Sequence, residues 1–325
     1  MSAKHLSSRA IIGEFYRHLE QDAGNSWINQ VSMLFHSDND SETYLWLGQS
    51  PVMREWKGGR QTTGFIEQGF TITNQHFEAT VEVMLRELRR DKTGQIMIRI
   101  RELAERTNTH WAKLLTDLIM LGEENPCYDK EAFFSTQHCD NPSVPKAERQ
   151  SNHFTFELDK LPFPEAERGN LNYPSAKTIK FALMKGVQQI LSFKDDQGEP
   201  MNENANRFLA MVPTCWMDIT NAAINSSVLS GAETNDLAAT RNFSLEYVVN
   251  PRLTWHDKFV LFRTDGSVAP LIRQEETPVQ LKAIAEGSEL EFKEDKHQYG
   301  VDTWRNVGYG YWQKACLVQL TANEK

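Results

Sequence analysis

Residues 92–121 constrain this chain more than any other stretch. Ile96, Ile100, Leu103, Thr107, Trp111, Leu114, Leu118 and Leu121 recur there at helical spacing and form one stripe, with Arg101, Glu105 and Lys113 off it. The stripe predicts a single helix about 45 Å long, well beyond the ordinary length of ~11–12 residues. Gly122 supplies a natural stop. A helix of that length acts as a spine, and the rest of the fold has to be organised along it.

Ahead of the spine, Ile11, Ile12, Phe15 and Leu19, then Trp27, Ile28, Val31, Leu34 and Phe35, predict an amphipathic arm that ends at SDNDSE, residues 37–42. From Tyr44 the period changes to two, in YLWLG and again in GFTITNQHFEATVEV, where Phe70, Ile72, Phe77, Ala79, Val81 and Val83 alternate with mostly polar neighbours. The intervening MREWKGGRQTTG holds Gly58-Gly59, which turns a chain at positive φ, so this region reads as a long two-stranded projection with a charged tip. A lone ribbon is marginal in water. Trp46, Trp56 and Phe65 have no core to fill within it and are predicted to bury against another molecule.

Beyond the spine, residues 138–174 carry Pro142, Pro145, Pro162, Pro164 and Pro174 and read as a boundary. SAKTIKFALMKGVQQIL then predicts a helix capped by Ser175 with Ile179, Leu183, Val187 and Ile190 on one face. RFLAMVP before TCWMDITNAAI reads as strand, proline, helix. LEYVV, KFVLF, VAPLIRQ and the closing HQYGVDTWRNVGYGYWQKACLVQL read as strands, so the class is α+β.

At 325 residues and 40% hydrophobic content the chain can bury one large core or two smaller ones. Lys and Arg number 35 against 44 Asp and Glu, a net charge of −9, which excludes a surface that grips nucleic acid all round. Cys127, Cys139, Cys215 and Cys316 are too scattered for a disulfide framework and fit a reducing compartment. The first twenty residues lack the apolar stretch of a secretory signal, and no window reaches the ~18 apolar residues of a membrane span.

The phosphate-loop, dinucleotide, zinc-protease and nucleophile-elbow signatures are missing, so no catalytic residue, cofactor or metal is expected. His138 and Cys139 follow Cys127 without the second ligand pair of a zinc site and are expected as loop or half-buried polar residues. The pairs Asp195-Asp196 and Glu275-Glu276 are expected as solvated turn charges. Between Arg86 and Lys113, eight basic side chains, among them Arg89, Arg90, Arg99 and Arg101, face four acids. That run either meets DNA phosphate or an acidic neighbour, or is a solvated, internally paired helix face. Lys57 is expected as an ordinary exposed lysine, not as one end of an isopeptide cross-link.

Taken in chain order, YLWLGQSPVMREWKGGRQ, CYDKEAFFSTQH, VNPRL, FVLF, APLIRQEE and YGVDTWRNVGYGYWQ closely resemble the major head (capsid) subunits of Mu-like phages and prophages, from about Tyr44 to Trp312. The resemblance implies a Hong Kong 97-type capsid fold: an N-terminal arm over 1–41, an E-loop over 42–83, a peripheral domain over 84–174 with its spine helix, an axial domain over 175–265, and strands over 266–325 returning to the peripheral domain. Ser135 and Gln137 stand where relatives tend to be acidic, and Thr303-Trp304-Arg305 where relatives tend to carry the arginine earlier.

The function so implied is a shell subunit that assembles as hexamers and pentamers around dsDNA, found in the virion and assembled in the host bacterial cytoplasm. Trp46, Arg54, Glu55, Trp56, Lys57, Arg60 and Phe65 of the E-loop are its expected contacts with a neighbour, with Arg89, Arg90, Arg99 and Arg101 on or near the spine as further ones. The short segment before Tyr44 leaves no room for a built-in scaffolding domain, so a separate scaffolding protein is expected. A portal protein at one vertex, a decoration protein, and packaged dsDNA held without sequence preference complete the expected partners, with no membrane among them. The competing expectations are an encapsulin-like nanocompartment shell, a cytosolic enzyme whose groups converge only in three dimensions, and a nucleic-acid-binding module.

Overall fold

The computed structural model describes residues 7–19, 26–45, 47, 58, 69–90, 94–139, 149–195, 198–229, 234–239 and 242–322. In chain order the elements are α1 (Ser8–Leu19), α2 (Trp27–Val31), β1 (Ser32–His36), β2 (Ser41–Tyr44), β3 (Phe70–Thr73), β4 (Gln75–Met84), α3 (Leu85–Arg90), α4 (Gln95–Asn108) and α5 (His110–Met120). Then come β5 (His138–Cys139), β6 (Arg149–Gln150), β7 (His153–Glu157), α6 (Ala176–Ser192), β8 (Arg207–Val212), α7 (Met217–Asn225), α8 (Asp236–Ala239) and β9 (Ser244–Val249). The chain closes with β10 (Lys258–Arg263), β11 (Leu271–Ile284), α9 (Glu289–Glu294), β12 (Lys296–Tyr309) and β13 (Ala315–Thr321).

Two sheets carry the architecture. A five-stranded sheet runs β7-β13-β10-β8-β9, with its two outer pairs parallel and its inner pairs antiparallel. Its three inner strands are almost wholly apolar and buried, the pattern of strands covered on both faces. The large core lies here, where Ile179, Leu183, Val187 and Ile190 of α6 meet Phe208, Val260, Phe262, Leu317 and Val318. Ser175 caps α6 as expected, its hydroxyl accepting from the Thr178 N–H at 3.1 Å. A four-stranded sheet runs β1-β11-β12-β4, with β1 from the arm lying parallel to β11. A smaller core beneath it joins Ile11 and Phe15 of α1 to Ile100, Leu103 and Ala104 of α4 and to Tyr299 and Val301 of β12.

The stripe expected as one helix over 92–121 is two. At Thr109 the helix breaks, and the chemistry is local: the Thr107 hydroxyl donates to the Leu103 carbonyl at 2.7 Å and the Thr109 hydroxyl to the Arg106 carbonyl at 3.1 Å. Such back-bonding competes with the helix ladder, although the ladder bonds into and out of Thr109, to the Glu105 carbonyl at 2.9 Å and from the Lys113 N–H at 3.1 Å, are kept. The buried face turns with the break, from Ile96, Ile100, Leu103 and Thr107 in α4 to Ala112, Leu115, Thr116 and Ile119 in α5. Trp111, Leu114 and Leu118 are therefore only half-buried, and Leu121 is exposed. Gly122 does not stop the helix through positive φ: a Cβ there would stand 2.5 Å from the Phe134 ring, so its role is close packing.

The proline-rich segment read as a boundary contributes β7, an edge strand of the five-stranded sheet. β13, expected among the strands returning with β11 and β12, pairs instead with β10 and β7. Glu275 and Glu276 lie in β11 beside a bulge, not in a turn, because the strand continues through them to Ile284. Asp195 is buried in a turn where its carboxylate accepts from the Glu199 N–H at 2.9 Å; Asp196 lies outside the described residues.

Candidate subunit interface

The two strands that flank the expected E-loop are fixed to the four-stranded sheet. β2 and β3 pair antiparallel from Ser41 with Thr73 to Tyr44 with Phe70. Gln274 of β11, fully buried, ties both strands down: it accepts from the Tyr44 hydroxyl at 2.8 Å, and its amide donates to the Ile72 carbonyl at 3.1 Å and to the Asn74 side chain at 2.9 Å. Burial pushes the Tyr44 phenol up to about 12, so it remains a donor. Tyr44, Leu47 and Ile72 close over Ile272 and Tyr311. Gly58 takes φ +75°, the left-handed turn conformation read from the Gly-Gly pair. Trp46, Arg54, Glu55, Trp56, Lys57, Arg60 and Phe65 lie outside the described residues.

The basic run divides. Arg89 and Arg90 at the end of α3 and Arg99 on α4 are exposed. Arg101 instead turns inward: its Nε donates to Glu14 of α1 at 2.6 Å, and Arg17 binds the same carboxylate. Those partners, Arg17 foremost, hold the Glu14 carboxyl down at about 2. Arg101 thus staples the arm to α4, which is the internally paired alternative for that residue.

One presentation site escaped the sequence reading. β11 and β12 form a long antiparallel hairpin, and α9 at its tip carries Phe292 at 91% exposed. The signal in the sequence was a lone Phe among charges in ELEFKE, which no periodicity argument picks up. Trp304, also exposed on this hairpin, stacks flat on His76 with ring centroids 4.7 Å apart.

Cys127 and His138 do meet, with Asp129 between them and not Cys139. The His138 ring is fully buried, stacked at 4.0 Å on Trp312, with Nδ1 2.7 Å from an Asp129 oxygen. The other ring nitrogen lies 3.1 Å from the Asn152 carbonyl oxygen, and the Cys127 thiol donates to Asp129 at 3.0 Å. Burial, then the Asp129 charge, push that thiol well up, which opposes the thiolate a metal ligand has to be. The cluster serves as a hydrogen-bonded latch that closes residues 127–138 onto the large core through Trp312.

A sequence profile described as the Mu-like prophage major head subunit gpT matches residues 9–163 and 244–325, covering the arm, both strands at the foot of the ribbon, α3 to α5 and all of β9 to β13. The chain belongs to that family. It is 31% identical to the major capsid protein of Escherichia phage Mu over 124 residues, 38% of this chain and 40% of that protein. Over 300 residues it is 29% identical to the Mu-like prophage FluMu major head subunit of Haemophilus influenzae, covering 91% of this chain and 68% of that one. The chain thus aligns with well under two thirds of the phage Mu protein.

Among solved structures it is similar to the procapsid of bacteriophage JBD30, with TM-score 0.56 and 23% identity over 98% of this chain and 78% of that chain. The mature capsid of bacteriophage PhiM1 gives TM-score 0.53 and 12% identity over 93% and 88% of the two chains. These likenesses establish the Hong Kong 97-type capsid fold, α+β in class, as the resemblance implied. Among the described residues no helix is long and apolar enough to cross a membrane.

Proposed function

We propose that this chain is the major shell subunit of a Mu-like phage or prophage head, assembling as hexamers and pentamers into an icosahedral shell that encloses dsDNA in the virion. The observation that carries the reading is the family match, which runs through the presentation elements as well as the sheets. A shell subunit works through interface geometry: contacts between different surfaces of identical copies close into rings and then into a cage. Gln274 locks β2 and β3 at the foot of the expected E-loop, and the β11–β12 hairpin holds Phe292 clear of its own core. Each contact is modest, and a subunit tied to several neighbours gains through effective concentration.

In this reading the E-loop side chains from Trp46 to Phe65 bury against a neighbouring copy, with Arg54, Glu55, Lys57 and Arg60 fixing register by charge. Arg89, Arg90 and Arg99, exposed at the end of α3 and on α4, are further contacts. A separate scaffolding protein, a portal and packaged dsDNA are its partners, with a decoration protein as an optional one, and no catalysis is assigned to it. The family match favours a phage head over a nanocompartment of the encapsulin kind.

The test is electron microscopy of the chain co-expressed with the product of the adjacent candidate scaffold gene. Polyhedral shells or capsomer rings are the expected result. Small particles of fixed low stoichiometry would contradict the proposal.

A further inference from the structure

Between β4, the α4–α5 junction and β12 lies a cavity of about 310 Å³ that opens to solvent. Its charge is lopsided: among the described residues that line it, Arg106, Lys113 and Arg305 face a single acid, Glu78. Arg106 and Lys113 are exposed at the rim, whereas Arg305 at the floor is 2% exposed.

Arg305 is held there by neutral groups. Its Nε donates to His110 Nδ1 at 3.1 Å, another of its nitrogens to the Thr107 carbonyl at 3.4 Å, and its guanidinium lies over the Trp111 ring at 4.6 Å. His110 accepts because burial, then the charges of Arg305, Lys113 and Arg252, push its pKa down to about 4 and keep it neutral. A second buried guanidinium, Arg273, shares the same tryptophan at 5.6 Å; it donates to Asn29 and leaves its Nε buried without a partner. Among the described residues neither arginine makes an ion pair, and the opposing charge felt by both is that of Glu275.

Burying a cation without a carboxylate is unfavourable, and the penalty is offset only when an anion arrives. The free subunit carries Arg305, hydrogen-bonded to neutral groups and balanced by Glu275 only beyond ion-pair distance, at the floor of an open, cation-rimmed cavity. A chain of net charge −9 carries more carboxylates than cations, so a second copy is a ready source of that anion.

We infer that the cavity between β4, α4–α5 and β12 is a receptor for a carboxylate side chain of a second copy of this chain, read by Arg106, Lys113 and Arg305. The inference rests on the shell reading above and adds to it the surface that receives the neighbour. A planar guanidinium at the floor suits a carboxylate bidentately, and the two rim cations steer it in. The contact also gives register, because an uncharged or basic side chain placed there would leave Arg305 unpaired.

The test mixes isotopically light and heavy subunits, assembles them with the scaffold, and treats the particles with a zero-length carbodiimide that joins an amine to a carboxylate. The expected product, read by mass spectrometry, is Lys113 joined to an Asp or Glu of the differently labelled copy, in particles and not in free subunits. Arg106→Glu with Lys113→Glu is the companion variant: particle yield is expected to fall at least about tenfold, with the melting temperature of the free subunit unchanged because both side chains are exposed.

Particles that form while Lys113 is joined only within its own chain, or a double variant that assembles like the parent, would overturn the inference and leave the shell reading standing. Protection of Lys113 by inorganic phosphate with no inter-copy product would give the cavity to a free anion and also overturn it. A parent chain that forms no particles at all would remove the shell reading and this inference together.

Discussion

The two sheets of this molecule are built from the same chain by opposite rules. In the five-stranded sheet, β8, β10 and β13 bury nearly every side chain, α6 lies against them, and the central residues Val260, Leu261, Phe262, Leu317 and Val318 are all fully enclosed. In the four-stranded sheet, β4 is mostly exposed, the β11–β12 hairpin runs out to a bare Phe292, and two arginines are buried with no ion pair among the described residues. The first sheet is where burial stabilises the subunit. The second presents polar and apolar groups that a lone subunit does not satisfy. On the proposed reading, the first sheet carries most of the stability and the second most of the association, with the latch around His138 and the arm staple at Glu14 holding the pieces in place.

The largest effect is expected where the comparison is easiest to break. Trp312→Ala removes a fully buried ring that stacks on His138 and meets Phe193 edge-on, and should cost about 4 kcal/mol in urea unfolding. A loss below about 1 kcal/mol would mean that stability does not reside in this core. Asp129→Ala breaks the buried partner of His138 and should cost about 3 kcal/mol in the same assay.

A smaller, pH-dependent effect tests the arm. The Glu14 carboxyl is held at about 2 against an ordinary 4.5, so its contribution is fully present above about 4.5 and is lost as pH falls toward 2. The protection factors of the α1 amides, corrected for intrinsic exchange at each pH, should fall across that window, and Glu14→Gln should flatten the dependence. Smallest of all, Phe292→Ser should change subunit stability by less than about 0.5 kcal/mol while reducing particle yield, because its side chain has almost no intrachain contact to lose. A drop of several degrees in melting temperature would instead place Phe292 in the stabilising half of the molecule.

Much of this division was legible in the sequence, for reasons that differ by element. α6 was readable because its apolar residues follow one local period and its cap is local too, as Ser175 shows, and β10 from its continuous apolar run. At the foot of the ribbon β3 was readable from its alternation, whereas β2 (Ser41–Tyr44) lies ahead of the change of period read at Tyr44 and overlaps the SDNDSE stretch expected to end the arm. The break at Thr109 was not readable, since Thr107 fits a helical stripe and nothing in the local pattern marks the division into α4 and α5. The placement of β13 between β10 and β7 is a long-range pairing that no local pattern encodes.

At the candidate interface, the exposed Arg89, Arg90 and Arg99 were found by charge counting, but counting did not separate them from Arg101, whose partner lies 87 residues away. His110 and Arg305 come together only through the packing of α5 on β12, and a lone His beside a Trp carries no signal of its own. Asn152, which faces His138 and accepts the Ser135 backbone N–H, likewise joins them only through the fold.

The measurement that tests this division most directly is hydrogen–deuterium exchange of free subunits against assembled particles, followed peptide by peptide. Added protection is predicted over 271–309 and along α3 to α5, with β8, β10 and β13 already protected in the free subunit and unchanged on assembly. Protection gained chiefly in those three strands, with the β11–β12 hairpin exchanging equally in both states, would contradict the account.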